Sequence, residues 1–160
     1  MAASFQPKVR QAKSADAAFI ADSNARMALE TEGRKLDPAR VTSGVNALLA
    51  DAGKGTYYIA EMDGKLAGQL LITREWSDWR NGNFWWIQSV YVCPEFRSAG
   101  VFRALFSHVH ALAEAEPDVC GLRLYMEAHN DRARAAYERL GLKQTEYQVF
   151  EMDFVAGSPL

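Results

Sequence analysis

The chain has 160 residues, 49% of them hydrophobic and 24% charged, a mixture that suits one soluble globular core rather than a disordered or membrane-embedded chain. With 18 Lys and Arg against 20 Asp and Glu the formal charge is -2, so no general positive field draws nucleic acid. Cys93 and Cys120 lack metal-ligand spacing and make a poor disulfide framework, and no apolar leader or membrane-length run is present; a cytoplasmic protein with reduced thiols is expected.

No repeat, low-complexity tract or linker divides the sequence, and a single domain over residues 1–160 is expected. A short strand is predicted around Val9–Ala12. Ser14 then caps a helix bearing Phe19, Ile20 and Met27, with Asp16 in its first turn; it ends near Glu30, and the segment from Glu30 to Gly33 reads as a loop. Asp37 at the cap, Pro38 at the first helical position, apolar Val41, Val45, Leu48 and Leu49, and Gly53 past the end mark a second helix. Thr56–Glu61 and Leu66–Thr73 are β-rich, and the Asp63-Gly64 pair between them is a strong hairpin signal. A third strand, Phe84–Val92, follows a long polar and aromatic loop from Arg74 to Asn83 that ends in an Asn-Gly turn. From Gly100 to Ala115, Phe102, Leu105, Phe106, Val109, Leu112 and Ala113 form a helical stripe that Pro117 stops. A strand at Leu122–Glu127, a short helix from Asn130 to Leu140 closed by Gly141, and a last strand at Tyr147–Phe154 complete the order β-α-α-β-β-β-α-β-α-β. The fold class is α/β: a mixed, partly antiparallel central sheet flanked by about four helices.

Between Val92 and Phe102 a strand ended by Pro94 gives way to a helix within a few residues. Such a junction leaves backbone N–H groups unpaired, and the helix dipole adds positive charge there. Gly100 lets the backbone approach a phosphate closely, and Arg97 supplies a cation at the same edge, so the turn reads as an anion site suited to a diphosphate. Downstream, Asn130 is a good N-cap, Ala133, Ala136, Tyr137 and Leu140 share a helical face, and Gly141 suits the C′ position.

The first stretch resembles the acyl-CoA-binding motif of the GNAT superfamily of N-acetyltransferases, a strand, then Pro, then Arg/Gln-x-x-Gly-x-Gly/Ala opening a helix. Pro94, Arg97 and Gly100 match; Phe102 stands where the family usually has Gly or Ala, and we read it as an altered packing contact on the apolar stripe. The second stretch is similar to the family's later motif, in which Asn130, Ala133, Tyr137 and Gly141 match in order. Together the two motifs span about a third of the chain.

The resemblance implies a GNAT-like fold, acetyl-CoA as cofactor, and direct attack of a primary amine on the thioester. Val90, Tyr91, Val92, Arg97, Ser98, Ala99, Gly100, Val101, Phe102, Asn130, Ala133 and Tyr137 are the implied cofactor contacts, the strand residues through main-chain groups. A bulge in that strand exposes such groups in the family. Tyr137 is the implied general acid for the departing thiolate. An alkylammonium with pKa near 10.4 must lose a proton before attack, which costs about 4–5 kcal/mol near neutral pH, so a base or proton-conducting water is wanted. Glu32 and Glu75 are the candidate bases, and with Trp76, Asp78, Trp79 and Gln88 they form the candidate acceptor site, where carboxylates and indole faces would hold a small cationic amine. His108, His110 and His129 have no metal spacing, so no metal is expected. The alternatives are a noncatalytic acyl-CoA sensor, a protein N-acetyltransferase, and an unrelated nucleotide-binding domain, the last lacking the glycine-rich turn such folds need. The apolar segment Tyr147–Phe154 is compatible with homodimer formation through a strand edge.

Overall fold

The computed structural model describes residues 6–155, which fall into two compact units, one ending at Tyr125 and the other beginning at Met126. In the first unit five strands run in the spatial order β1-β2-β3-β4-β5: β1 is Lys8–Gln11, β2 Thr56–Met62, β3 Lys65–Ser77, β4 Gly82–Val92 and β5 Val119–Arg123. The first four pair antiparallel and β5 joins β4 in parallel. Helices α1 (Ala17–Glu32), α2 (Pro38–Ala50) and α3 (Val101–Ala115) complete this unit, and α4 (Asp131–Arg139) belongs to the second.

Local chemistry places most of these boundaries. Asp37 caps α2, accepting from the Ala39 amide at 2.9 Å, and Pro38 occupies the first turn as expected. Asp63 and Gly64 both adopt positive φ, the geometry of a tight hairpin, with Met62 facing Lys65 across it. At the start of α1 the cap is not a Ser14 side chain. Residues Ser14–Asp16 form a 3₁₀ turn, and buried Asp16 accepts from the Lys13 amide and takes both ends of the Arg10 guanidinium, at 2.8 and 3.0 Å. The helix also runs on to Glu32, two residues past its expected end, where Gly33 turns left-handed at φ 62°.

Strand alternation sends Tyr57, Ile59 and Leu71 to one face, where they meet Ile20 of α1 and Val45 of α2. The other face takes α3 through Val101, Leu105, Phe106, Val109 and Ala113, and Tyr58 meets His108 edge-on. The α3 stripe is thus rotated from the expected one: Val101 joins it, and Leu112 is 36% exposed.

Three elements depart from expectation. Glu75 and Trp76 lie within β3 rather than in a loop, because β3 stays paired with β4 until Ser77 faces Gly82. Strand β5 begins at Val119, not Leu122, and ends at Arg123, since its extent follows the β4 residues it pairs with, Asn83 to Trp86. Gly121, a poor strand former, obscures this start; there a Cβ would come within 2.7 Å of the Phe84 ring. The expected strand Tyr147–Phe154 is not formed. Tyr147, Val149, Phe150, Met152 and Phe154 are all strongly exposed, and an apolar run becomes a strand only when a neighbouring edge satisfies its backbone.

Candidate active site

Strand β4 changes its pairing midway. Its ladder with β5 stops at Trp86, so Ile87–Val92 has no register partner on that side. On the β3 side, Leu71 faces Gln88 and Gln69 faces Tyr91, so two β4 residues, Ser89 and Val90, stand where β3 supplies only Leu70. This is a β-bulge, and Ser89 within it takes the left-handed φ of 49°, a conformation that costs a non-glycine residue about 1–3 kcal/mol. No Gly or Asn signals the bulge in the sequence. Gln69, fully buried, holds it from below by donating to the Ser89 carbonyl at 3.2 Å.

Beyond Val92 the chain makes the expected strand-to-helix junction. Pro94–Phe96 form a 3₁₀ turn, Ser98 and Gly100 take positive φ (66° and 80°), and α3 opens at Val101. The helical ladder at this end starts with Ala104 N–H donating to Gly100 O at 3.0 Å, so the Val101 and Arg103 amides precede any i−4 acceptor and face out along the helix dipole. Nothing lies within 4 Å of where a Gly100 Cβ would sit, leaving the approach open. Gly68 is the opposite case: a Cβ there would stand 2.8 Å from the Tyr91 carbonyl and 3.0 Å from Val101, so its absence lets β3 seat β4 and the start of α3 together. Phe102 packs its ring against Phe106, centroids 6.2 Å apart, on the helix surface.

The Arg97 side chain braces this turn from within. Its Nε donates to Val92 O (3.0 Å), Nη2 to Glu30 Oε2 (2.7 Å), and its guanidinium lies 5.6 Å from the Tyr91 ring centroid. Tyr91 donates its hydroxyl to Glu30 Oε1 at 3.0 Å. Glu30 therefore ties the end of α1 to β4 and to the turn, and the Arg97 hydrogen bond holds its carboxyl below the ordinary glutamate value. Burial, aided by that carboxylate, pushes the Tyr91 phenol up. Burial likewise raises the Cys93 thiol, which is no ready nucleophile.

The acceptor-side candidates separate along the hairpin. Gln88 adjoins the bulge, its Nε2 donating to Thr73 Oγ1 at 2.6 Å. Glu75, opposite Phe84, accepts from Trp86 Nε1 (2.5 Å) and pairs with Arg123 (3.2 Å), whose guanidinium lies 3.6 Å over the Phe84 ring. At about 3.3 Å per residue, Phe84 and hence Glu75 stand roughly 16 Å along β4 from Ser89. Asp78 and the 84%-exposed Trp79 are in the hairpin turn, farther still, and Trp76 is exposed at its base. Glu32 closes α1 on the surface. The structure thus gathers Gln88, Val90, Tyr91, Val92 and the 97–102 turn along one strand and its exit, and does not bring Glu75, Asp78, Trp76 or Trp79 to the bulge.

In the second unit Asn130 caps α4 through Oδ1, accepting from the Ala133 amide at 3.0 Å. Tyr137 is half-buried on that helix, and burial raises its phenol above the usual value, keeping it a proton donor throughout the neutral range. No His, Cys, Asp and Glu group able to hold a metal exists among the described residues, and no helix there is long and apolar enough to cross a membrane. Glu30, Gly68 and Gln69 escaped sequence reading because each acts through a partner distant in the chain.

Comparison with known proteins adds to this geometry. A family profile described as "Acetyltransferase (GNAT) family" matches residues 21–142. Among solved structures, a possible acetyltransferase from Clostridium difficile 630 is 42% identical, with TM-score 0.87, covering 93% of this chain and 98% of that one. A predicted acetyltransferase from Clostridium acetobutylicum, solved with acetyl-CoA, aligns at 18% identity and TM-score 0.73 over 92% of this chain and 96% of its own. An aminoglycoside N-acetyltransferase, AAC(6')-Iy, solved with CoA, aligns at 15% identity and TM-score 0.73 over 94% and 97%. These last two likenesses speak to the fold. No curated protein matches the chain.

Proposed function

Because this chain belongs to the GNAT family of acetyltransferases and is therefore an acyltransferase, we propose that it transfers an acetyl group from acetyl-CoA to the primary amine of a small acceptor. The observation that carries this reading is β4 itself: it parts from β5 after Trp86, bulges at Ser89 and Val90, and exits into an anion-accepting turn. A diphosphate suits the start of α3, where left-handed Ser98 and Gly100 lead into a helix N-terminus; the Ala99 amide is already given to Phe96 O at 3.4 Å. An extended arm suits the unpartnered side of β4 from Val90 to Val92, which offers main-chain groups at strand spacing.

The thioester supplies an activated acyl carbon and a thiolate leaving group; the amine nitrogen bonds to that carbon as the C–S bond breaks. The Val90 amide is assigned to the thioester carbonyl, whose oxygen gains charge as the bond changes. Tyr137, which burial keeps protonated, is assigned to protonate the departing sulfur. Phe102 leaves the anion turn intact, because its backbone N–H remains and its ring packs along the helix.

For the acceptor, Gln88 next to the bulge would orient the amine or a water that takes its proton, with Glu32 as an outer carboxylate. Glu75, shared by Trp86 and Arg123 and remote from the bulge, is assigned no part in proton removal. The exposed indoles of Trp76 and Trp79 and the Glu75 carboxylate, roughly 16 Å or more along the hairpin from the bulge, would meet only the far end of an extended cationic acceptor such as a polyamine or aminoglycoside. The test is to follow thiol release from acetyl-CoA with a panel of amino acids, polyamines and aminoglycosides, alongside peptide N-termini. Turnover with a small amine is expected; CoA binding without turnover on any amine would leave a sensor, and turnover confined to peptides would move the acceptor to proteins.

A further inference from the structure

A buried polar chain beneath β4 has no part in the chemistry assigned above. Gln69, fully buried on β3, donates from Nε2 to Asn24 Oδ1 at 2.8 Å and to Ser89 O at 3.2 Å, and Asn24 in turn donates to Tyr57 O–H at 3.0 Å. Gln69 Oε1 is buried and meets no hydrogen-bond donor among the described residues. Both partners of Nε2 are acceptors, so turning the amide over would set oxygen against oxygen. A core side chain with an orphaned acceptor is costly, and an apolar residue would avoid that penalty. The arrangement therefore points to what Nε2 holds.

It holds the strained peptide of the bulge. No cis bond occurs among the described residues, so the Ser89 C=O and the Val90 N–H of this planar unit point in opposite directions. With the carbonyl drawn to Gln69 Nε2, the amide hydrogen is aimed away from that side chain. The regular ladder cannot set this direction, because neither Ser89 nor Val90 has a register partner in β3 or β5. Asn24 fixes Gln69 in turn from α1, so the aim of one amide is referred back to a helix packed on the sheet.

We propose that Gln69 is a positioning residue for acetyl transfer, holding the Ser89–Val90 peptide so that the Val90 N–H is presented to the thioester carbonyl. The inference rests on the reading of that amide as the carbonyl's donor. Without Gln69 the left-handed Ser89 loses the side-chain hydrogen bond to its carbonyl, and the peptide is freer to rotate toward a relaxed conformation.

Acetyl-CoA carrying ¹³C at its carbonyl gives an isotope-edited infrared band whose position reports hydrogen bonding to that oxygen. Bound to the wild-type protein, the band should lie at lower wavenumber than in free acetyl-CoA. In Gln69→Leu about half or more of that displacement should vanish, kcat should fall roughly ten- to a hundredfold, and KM for acetyl-CoA should change less than about threefold. A variant with the full displacement and wild-type kcat overturns the role of Gln69 alone. A wild-type band at the free position overturns the assignment of the Val90 amide itself. If Gln69→Leu does not fold, Gln69→Met fills the same space without a donor and is read by the same two measurements.

Discussion

Arg97 stands midway between Pro94 and Gly100, where the chain leaves β4 for α3. Its spacing from Pro94 and Gly100 marks the turn, yet its guanidinium is spent on Val92 O, Glu30 and the Tyr91 ring. Removing it should loosen the turn rather than delete a single phosphate contact. For Arg97→Ala we expect CoA affinity, measured calorimetrically, to weaken about tenfold while kcat at saturation changes less than about threefold. The reverse pattern would place Arg97 in the chemical step. Tyr137→Phe is the complementary test, since it keeps the ring and removes only the phenol. Loss of a general acid should lower kcat about a hundredfold with little effect on either KM, and undiminished turnover across the pH range would remove Tyr137 from the scheme.

At the level of elements, those specified by contiguous residues were legible and those specified by a partner were not. Asp37 with Pro38, and Asp63 with Gly64, place a helix start and a hairpin by φ preference and capping alone. Asp37→Ala should therefore cost about 1 kcal/mol, lowering the melting temperature by several degrees in a chain of this size while kcat stays unchanged. A fall in kcat would mean that α2 reaches the site. By contrast, the ends of β5 follow β4, the exposed 147–154 segment has the composition of a strand and no ladder, and the bulge falls on Ser89-Val90, whose side chains favour neither a bend nor positive φ. The candidate site residues were legible to the same degree. The turn and the Asn130–Tyr137 helix announce themselves locally, whereas Glu30, Gly68 and Gln69 matter through residues 20 to 67 positions away.

Across the whole molecule, stability should decline at both ends of the pH scale for separate reasons. Burial holds the Tyr58 and Tyr91 phenols above the ordinary value of 10.0, Tyr91 with help from Glu30. The unfolded chain releases those protons near pH 10 while the folded chain keeps them, so stabilisation intact below about 10 is lost as the pH rises further. At the acid end the Arg10 hydrogen bonds hold Asp16 below its ordinary 3.8, so its contribution is present above that value and lost as the pH falls beneath it. Thermal melts from pH 3 to 11 should show a plateau with two falling limbs; a melting temperature that holds from pH 9.5 to 11 would contradict the tyrosine assignment.

The engagement of Arg97 by Glu30 also bears on ionic strength. With that charge compensated inside the protein and a formal net charge of -2, little long-range attraction is left to steer a polyanion toward the turn. On the proposed reading, capture of a diphosphate then falls to backbone dipoles at short range, which dissolved salt screens poorly. Raising sodium chloride from about 50 to 500 mM should alter the CoA dissociation constant by less than about threefold, a tolerance that a lysine-lined phosphate pocket would not show.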